Sequence, residues 1–269
     1  MLTKTNQADI LAHYQACLPK ECCGLLVKTG RKISYQPCNN LGQGNDVFIL
    51  DPKDWVQAEA MGNIVAIVHS HPNGDILPSD SDKVQMQVHG LPWVITNGKD
   101  FDTHYPTPFT APLVGREYHH GVLDCFAIVR DYFAREHGIK IDDFERTDAW
   151  WEDPNNPSLY LDNFEQQGFV QVDDLQPHDV ILCRVGKTHH VNHALIYLSD
   201  YQLQSEDVPP TLGDIVLHHP YGGLSRRVSI HAPVWGATIY RDVQNFGNCF
   251  NPRTRVGCDT NGWEMSSMS

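Results

Sequence analysis

The hydrophobic positions of the first hundred residues alternate between helical spacing and short apolar runs. Apolar side chains at positions 10, 11, 14 and 18 repeat at the interval of an α-helix, which predicts a first helix over residues 7–18. Further helices are predicted to begin at Asp51-Pro52 and at Ser79, because these residues suit a helix N-terminus. Short apolar runs predict strands at 21–27, from 33 onward, and at 64–68, 93–96 and 101–105.

Three prolines fall within seven residues at 106–112 (P-T-P-F-T-A-P) and interrupt this pattern. A stretch of this composition predicts a semi-rigid linker. We therefore expect a first domain over residues 1–105 and a second domain over residues 113–245. Residues 246–269 show no periodicity and form a C-terminal tail that the pattern does not place.

The second half begins with a helix and continues with strands. Apolar residues at helical spacing predict a helix from Asp124 to His137, and residues 140–158 predict a long polar loop before a short helix near 159–166. Apolar runs then predict strands at 180–183, 189–198 and 215–218. The fold class expected for the chain is α+β in two domains. The first would hold a mixed sheet flanked by helices, and the second a small antiparallel sheet.

The composition is that of a globular protein, with 41% hydrophobic and 20% charged residues among 269. A formal net charge of −13, without a local basic patch, argues against nucleic-acid binding. No apolar stretch approaches the roughly 20 residues of a membrane span, and the first residues lack a signal-peptide core, so we expect folding in the cytosol. In that compartment, eight cysteines without a C-x-x-C pair predict free thiols.

One polar stretch, H-S-H-P-N-G-D-I-L-P-S-D-S-D from His69 to Asp82, concentrates metal-binding side chains. A catalytic zinc ion takes three protein ligands and keeps one position open for water. His69 and His71 lie two residues apart at the end of a predicted strand, so their side chains point the same way. Asp82, in the first turn of the next predicted helix, can be directed back at them. The stretch therefore predicts a Zn²⁺ site with these three ligands.

The spacing H-x-H-x7-S-x2-D resembles that of the JAMM/MPN metalloproteases, over roughly residues 1–105. The resemblance implies a zinc-dependent peptidase or isopeptidase. It also implies that Glu21, in E-C-C-G-L-L-V, is the general base and that Ser79 supports the oxyanion. Two other interpretations stay open. Ser79 can be a plain helix cap in a loop with incidental histidines, or the domain can keep the shape of the family without turnover.

A second group of reactive residue types begins at Cys125, at the start of a predicted helix. The helix N-terminus and a nearby imidazole both lower a thiol pKa, so Cys125 is expected to be a nucleophile that alkylates faster than the other seven cysteines. His193, on an alternating strand, is the candidate base. His218, on the next strand, is preferred to His219 as the group that orients His193. A buried structural cysteine is the alternative for Cys125.

Residues 113–235 resemble the NlpC-type cysteine peptidases, whose fold is a small papain-like α+β domain. Tyr118, seven residues before the cysteine, resembles a tyrosine of their oxyanion site. The chain departs from the family at Phe126-Ala127, where Ser-Gly is common, and at Asn192 and Leu195, where glycines are common. The resemblance implies cleavage of the stem peptides of bacterial cell walls. The matching segments are Asp124-Cys125, L-Q-P-H-D-V-I-L at 175–182, N-H-A-L-I-Y-L and His218.

A metallopeptidase-type domain followed by a cysteine-peptidase-type domain resembles a family of tail assembly proteins of lambda-like bacteriophages. This resemblance implies synthesis in the host cytoplasm, a place at the tail tip, and action at the bacterial cell wall during entry. It also implies peptidoglycan stem peptides and other phage tail-tip proteins as partners. Two alternatives stay open. One is an intracellular zinc peptidase that trims a small ubiquitin-like or tail protein, and the other is a non-catalytic tail assembly protein with vestigial sites.

Overall fold

The chain forms two compact units, Met1–Ala111 and Pro112–Ser269. The division falls inside the proline-rich stretch 106–112, and the limits given above for the two domains stay predictions. The tail at 246–269 lies outside the described residues. A computed structural model describes residues 2–230, 237–242 and 244–245.

The first unit is a five-stranded sheet with three helices. The strand order is β2-β1-β3-β4-β5; β3 and β4 run parallel, and the other neighbours run antiparallel. The mixed sheet flanked by helices is therefore confirmed. Its elements are α1 (Lys4–Cys17), β1 (Cys23–Thr29), β2 (Lys32–Cys38), α2 (Pro52–Met61), β3 (Asn63–Ser70), α3 (Asp80–His89), β4 (Trp93–Thr96) and β5 (Phe101–His104).

The central strands of this sheet are apolar at successive positions because both faces of the sheet are covered. One cluster packs Leu25 and Ile67 with Ala58 of α2, and the other packs Leu26 and Val68 with Ile10 of α1. Strand β3 continues to Ser70, two residues beyond its predicted end. His69 therefore lies inside the strand, and its side chain is fully buried.

The second unit packs helices against a six-stranded antiparallel sheet of order β10-β9-β8-β7-β11-β6. The antiparallel sheet is confirmed. None of the helices in the described part of the chain is both long and apolar enough to cross a membrane. The elements of the second unit are α4 (Cys125–His137), a 3₁₀ helix (Trp150–Glu152), α5 (Leu159–Gln166), β6 (Phe169–Val172), β7 (Val180–Cys183), β8 (His193–Tyr197), β9 (Ile215–His218), β10 (Arg226–Ser229) and β11 (Thr238–Asp242).

The pattern of apolar residues did not predict three strands of this sheet, β6, β10 and β11. Strands β6 and β10 are the edges of the sheet, and edge strands are short and often charged, as in the R-R-V-S of β10. Strand β11 ends in Arg241 and Asp242, which are nonetheless buried. Arg241 donates two hydrogen bonds to the Asp179 carboxylate, both at 2.8 Å. Tertiary pairing, not apolar composition, therefore places this strand inside the sheet.

Candidate active sites

His69 and His71 meet Asp82 at one end of strand β3. His69 lies in β3 and His71 follows it, so strand alternation turns both side chains to the same side. Their Nε2 atoms lie 2.9 Å apart. Asp82, in the first turn of α3, places Oδ2 3.6 Å from Nε2 of His69 and 3.5 Å from Nε2 of His71. The fold thus brings the three predicted metal ligands together.

These spacings fit a tetrahedral zinc ion. Zinc binds imidazole nitrogen and carboxylate oxygen at about 2.0–2.2 Å, which separates tetrahedral ligand atoms by roughly 3.4 Å. The three ligand atoms here are 2.9, 3.5 and 3.6 Å apart. In the parts of the chain that the structure describes, this is the one group of three His, Cys, Asp or Glu side chains close enough to share a metal ion. Two imidazoles and one carboxylate would leave a fourth position open.

Both imidazoles direct Nε2 toward the position that the three ligand atoms share. Nδ1 of His71 lies 2.9 Å from the carbonyl oxygen of Asp75, which only accepts, so Nδ1 donates. Burial opposes protonation of this ring, but the hydrogen bonds to Asp82 and Asp75 raise the pKa of His71, so a metal ion would compete with a proton for Nε2. The ring of His69 is fully buried and stacks on Phe48 at 4.6 Å between centroids. Burial lowers the pKa of His69 despite the opposing effect of Asp82, so this imidazole is neutral, as metal binding requires.

Ser79 and Asp82 form a capping box at the start of α3. Ser79 Oγ accepts a hydrogen bond from the Asp82 N–H at 3.1 Å, and Asp82 Oδ2 accepts one from the Ser79 N–H at 2.8 Å. Burial favours protonation of Asp82, but His69 and His71 hold its pKa well below the usual range. Because Oδ2 faces both imidazoles, the helix cap also orients a candidate metal ligand. Accepting the cap bond leaves the Ser79 hydroxyl hydrogen available to a substrate.

We expect Ser79→Ala to lower both the stability of the first unit and its affinity for zinc. Loss of an N-cap side chain costs about 1 kcal/mol, and Asp82 loses the hydroxyl that anchors its turn. Urea unfolding and zinc titration measure the two effects. Ser79→Thr keeps the hydroxyl and is the matched control, which should behave like the wild type. An unchanged zinc affinity in Ser79→Ala would contradict the orienting role.

Glu21 is a buried carboxyl two residues before the start of β1, with 5% of its surface exposed. Its N–H donates to the carbonyl oxygen of Asn45 at 3.1 Å, and its own carbonyl oxygen accepts from the Asn40 side chain at 3.0 Å. Burial raises the pKa of Glu21 to about 8, with His71 opposing the rise and Asp82 adding to it. The next residue, Cys22, accepts a hydrogen bond at 3.1 Å from the N–H of Ser70, which lies between the two histidines. With this pKa the Glu21 carboxyl is mostly protonated at neutral pH, and it serves as a general base only once ionised, a form that a cation bound by the neighbouring histidines would favour.

Cys125 is the first residue of α4, and its thiol is buried. The sulfur lies 3.1 Å from the hydroxyl oxygen of Tyr160 and 3.7 Å from the carbonyl oxygen of Asn192. Burial raises the pKa of Cys125 to about 12, and the carboxylate of Asp124 adds to the rise. The expectation of a lowered thiol pKa is therefore wrong for this state of the protein. Desolvation of a thiolate here outweighs the helix N-terminus, so Cys125 is a neutral thiol.

His193 and His218 are joined across neighbouring strands. His218 lies opposite Leu195 in the β8–β9 register, and Nε2 of His193 lies 3.1 Å from Nδ1 of His218. Burial lowers the pKa of His193 to about 3, so it is a neutral imidazole. The His219 ring instead lies against Tyr118, with 5.2 Å between centroids. Among the described residues, no hydrogen bond joins the Cys125 thiol to His193.

Tyr118 directs its hydroxyl to His120. The hydroxyl oxygen lies 3.2 Å from Nδ1 of His120. Nε2 of His120 lies 3.1 Å from the carbonyl oxygen of Thr147, which only accepts, so Nε2 carries the hydrogen and Nδ1 accepts from Tyr118. Burial raises the pKa of Tyr118, and nearby Cys125 adds to the rise, so the hydroxyl keeps its proton. Tyr118 must therefore exchange this bond before it can support an oxyanion.

Two protein families match the chain in succession. Residues 3–107 match prokaryotic homologs of the JAB domain, and residues 115–243 match the NlpC/P60 family of cysteine peptidases. Tail tip assembly protein K of Escherichia phage N15 is 36% identical over 231 residues, which cover 85% of this chain and 89% of that protein. The chain belongs to the tail tip assembly protein K family. The family resemblances and their order, as predicted from the sequence, are confirmed.

A second relative in this family is tail tip assembly protein K of Escherichia phage lambda. It is 39% identical over 181 residues, which cover 66% of this chain and 80% of that protein. A solution structure of a protein from Desulfitobacterium hafniense is 31% identical and covers 35% of this chain and 70% of its own, with a TM-score of 0.30.

In this member of the K family, Arg146 from the polar loop 140–158 is a site residue that the sequence analysis missed. Its fully buried guanidinium donates to the Asp124 carboxylate from Nε at 2.9 Å and from Nη2 at 3.3 Å. Asp124 caps α4 by accepting from the N–H groups of Phe126 and Ala127. Arg146 thus fixes the turn that carries the thiol. The sequence feature that could have identified Arg146 is that it is the single arginine in a loop with six acidic residues.

We expect Arg146→Met to destabilise the second unit by about 3–5 kcal/mol. The substitution leaves the Asp124 carboxylate buried without its cation. Guanidinium chloride unfolding measures the loss. Lys140→Met removes an exposed ion pair with Asp142 and is the control, which should leave the unfolding midpoint unchanged. If Arg146→Met were as stable as the wild type, the ion pair would not hold the turn.

Proposed function

We propose that this protein is a bacteriophage tail-tip assembly protein with two hydrolytic sites. The names of its relatives and the order of the two matched families support this role. The second domain (113–245) is a cysteine endopeptidase that cleaves peptidoglycan stem peptides during host entry. The first domain (1–105) is a zinc-dependent peptidase or isopeptidase. The protein is made in the host cytoplasm, joins other tail-tip proteins and acts at the cell wall.

The observation that carries the proposal is the placement of Cys125 beside the strand of His193. The thiol begins α4, and the carbonyl that it contacts belongs to Asn192, the residue before His193. His193 is joined in turn to His218. A thiol that cleaves amides needs a base within reach and a third group that orients the base. The placement supports Cys125 as nucleophile, His193 as base and His218 as orienting group.

In the proposed reaction, Sγ of Cys125 turns from the Asn192 carbonyl toward Nδ1 of His193. Nδ1 takes the thiol proton while Sγ attacks the scissile carbonyl carbon, and Tyr118 donates to the developing oxyanion. For Nδ1 to accept, the ring hydrogen of His193 must sit on Nε2 and be donated to Nδ1 of His218. In this structure Arg226 Nε donates to Nε2 of His218 at 3.5 Å, which leaves the His218 hydrogen on Nδ1, facing His193. Both imidazoles must therefore change tautomer before His193 accepts the thiol proton. His193 then passes the proton to the leaving amine, and water hydrolyses the thioester.

In the first domain, His69, His71 and Asp82 would hold the zinc ion. Bound zinc would supply a water of pKa about 7 and would polarise the scissile carbonyl. Once ionised beside the bound cation, Glu21 would take the proton that the attacking water loses and would deliver it to the leaving amine as the amide C–N bond breaks. The Ser79 hydroxyl donates to the carbonyl oxygen as charge develops there.

The test is a digest of purified peptidoglycan, read by mass spectrometry of the soluble peptides. Untreated and zinc-chelated protein run side by side. Peptide release in both samples would assign wall cleavage to the second domain and leave the first domain for a protein substrate. Release that stops with chelation would move the wall-cleaving step to the zinc site. No release in either sample would contradict wall cleavage.

A non-catalytic tail assembly role is the second candidate. It is favoured by the buried neutral thiol of Cys125, whose pKa is raised to about 12, and by the bond from Tyr118 to His120. Retention of zinc without hydrolysis of peptidoglycan or of tail proteins, together with tight binding to tail-tip proteins, would decide for this candidate.

A further inference from the structure

The sulfur of Cys125 lies between two oxygen atoms of different character. The carbonyl oxygen of Asn192, at 3.7 Å, has no hydrogen and only accepts. The hydroxyl of Tyr160, at 3.1 Å, can donate or accept. A neutral thiol has one hydrogen, which the Asn192 carbonyl receives. The Tyr160 hydroxyl therefore donates to the lone pairs of the sulfur.

Tyr160 is held rigidly in this position. It lies in the first turn of α5 with 2% of its surface exposed. Its ring packs against Trp150 at 5.4 Å, Phe144 at 6.1 Å and Phe126 at 6.2 Å between centroids. Three aromatic neighbours leave the ring little freedom to rotate, so the hydroxyl stays directed at the sulfur. Burial raises the pKa of Tyr160 well above its usual value, which keeps the donor protonated.

We propose that Tyr160 is a further catalytic residue, whose hydroxyl donates a hydrogen bond to Sγ of Cys125 and stabilises the thiolate formed when the proton leaves. The importance of Tyr160 for peptide cleavage rests on the proposed role of Cys125 as nucleophile. The hydrogen bond from Tyr160 to the thiolate does not depend on that role. Ionisation of the thiol removes its hydrogen bond to the Asn192 carbonyl and leaves that oxygen facing a negatively charged sulfur. The bond from Tyr160 strengthens at the same step, because hydrogen bonds to ionised acceptors are roughly twice as strong as neutral ones.

The test is the alkylation rate of Cys125 in the full-length protein, in wild type and in Tyr160→Phe. Iodoacetamide is the probe, and mass spectrometry of the peptide containing Cys125 separates it from the other cysteines. Rates are taken from about pH 6 to about pH 9, where the thiolate fraction sets the rate. Loss of the donor should lower the Cys125 rate about tenfold at every pH in this range, the effect of a one-unit rise in thiol pKa. The unfolding midpoint verifies that the variant is folded.

Tyr240→Phe is the matched control. Tyr240 is also 2% exposed and belongs to the same hydrophobic core, but its hydroxyl lies 3.3 Å from Glu165. Its loss should leave the Cys125 rate unchanged. Replacing Tyr160 by 3-fluorotyrosine gives the opposite test without removing the hydroxyl. The more acidic phenol donates a stronger hydrogen bond, so the Cys125 rate should rise.

A Tyr160→Phe rate equal to or above that of the wild type would overturn the proposal, since Tyr160 would then only cover the thiol. A 3-fluorotyrosine protein no faster than the wild type would do the same. Alkylation needs no substrate, so these outcomes do not depend on peptidoglycan cleavage. A slower Tyr160→Phe reaction in a protein that releases no wall peptide would support the hydrogen bond and contradict the proposed function separately.

Discussion

Cys125→Ala will abolish the release of stem peptides from purified peptidoglycan, lowering the rate by at least about a thousandfold. The substitution removes the attacking sulfur but keeps the helix start, because the Asp124 carboxylate caps α4 through the backbone N–H groups of Phe126 and Ala127. The truncation is small, so the helix should stay packed on the sheet. Mass spectrometry of the released peptides, followed over time, measures the rate.

The control for this variant is Cys38→Ala. Cys38 is a similarly buried thiol, 5% exposed, in the first unit, and its truncation should leave wall cleavage at the wild-type rate. Wild-type release by Cys125→Ala would remove this thiol from the mechanism. Loss of release in both variants would point to a general effect of cysteine truncation on folding.

The wild-type protein should retain about one zinc ion through dialysis, and His69→Ala should retain none. His69 supplies one of three ligand atoms that lie 2.9 to 3.6 Å apart, and two ligands alone hold zinc weakly. Loss of groups that only orient ligands lowers metal affinity by about 10–100-fold, so loss of a direct ligand should exceed that range. Elemental analysis by plasma mass spectrometry gives the zinc content.

His89→Ala is the control for metal binding. Its ring lies 5.5 Å from that of Trp55 and belongs to the same unit, outside the three-ligand cluster. This variant should retain zinc like the wild type. A metal-free wild type, or unchanged zinc in His69→Ala, would refute the zinc assignment and leave the cluster as a hydrogen-bonded group of two histidines and a carboxylate.

The metal-ligand cluster was readable from sequence because each part of it is local. Two histidines at the interval of strand alternation share a side, and a carboxylate three residues after an N-cap serine lies in the first helical turn. The two families and the mixed and antiparallel sheets followed from motif spacing and apolar runs. Ser79 caps α3, as one sequence-based interpretation predicted, and its cap bond also orients Asp82, which the sequence did not predict; its support of an oxyanion stays a prediction.

The surroundings of the thiol depend on residues far apart in the chain. Tyr160 is 35 positions from Cys125 and Arg146 is 22 positions from Asp124, so no local pattern pairs them. The raised pKa of Cys125 has the same origin. A helix N-terminus is visible in the sequence, whereas the burial that outweighs it arises from packing.

By itself, the sequence determined the family, the order of two domains, the free thiols confirmed at the six described cysteines, and the residue types available at both sites. The sequence already favoured His218 over His219 as the partner of His193, and the strand register of the tertiary structure brings the two rings together. Tertiary structure alone placed the charged strand β11 inside the sheet, because Asp179 neutralises Arg241 there. Such contacts depend on where distant segments meet, which apolar spacing along one segment does not encode.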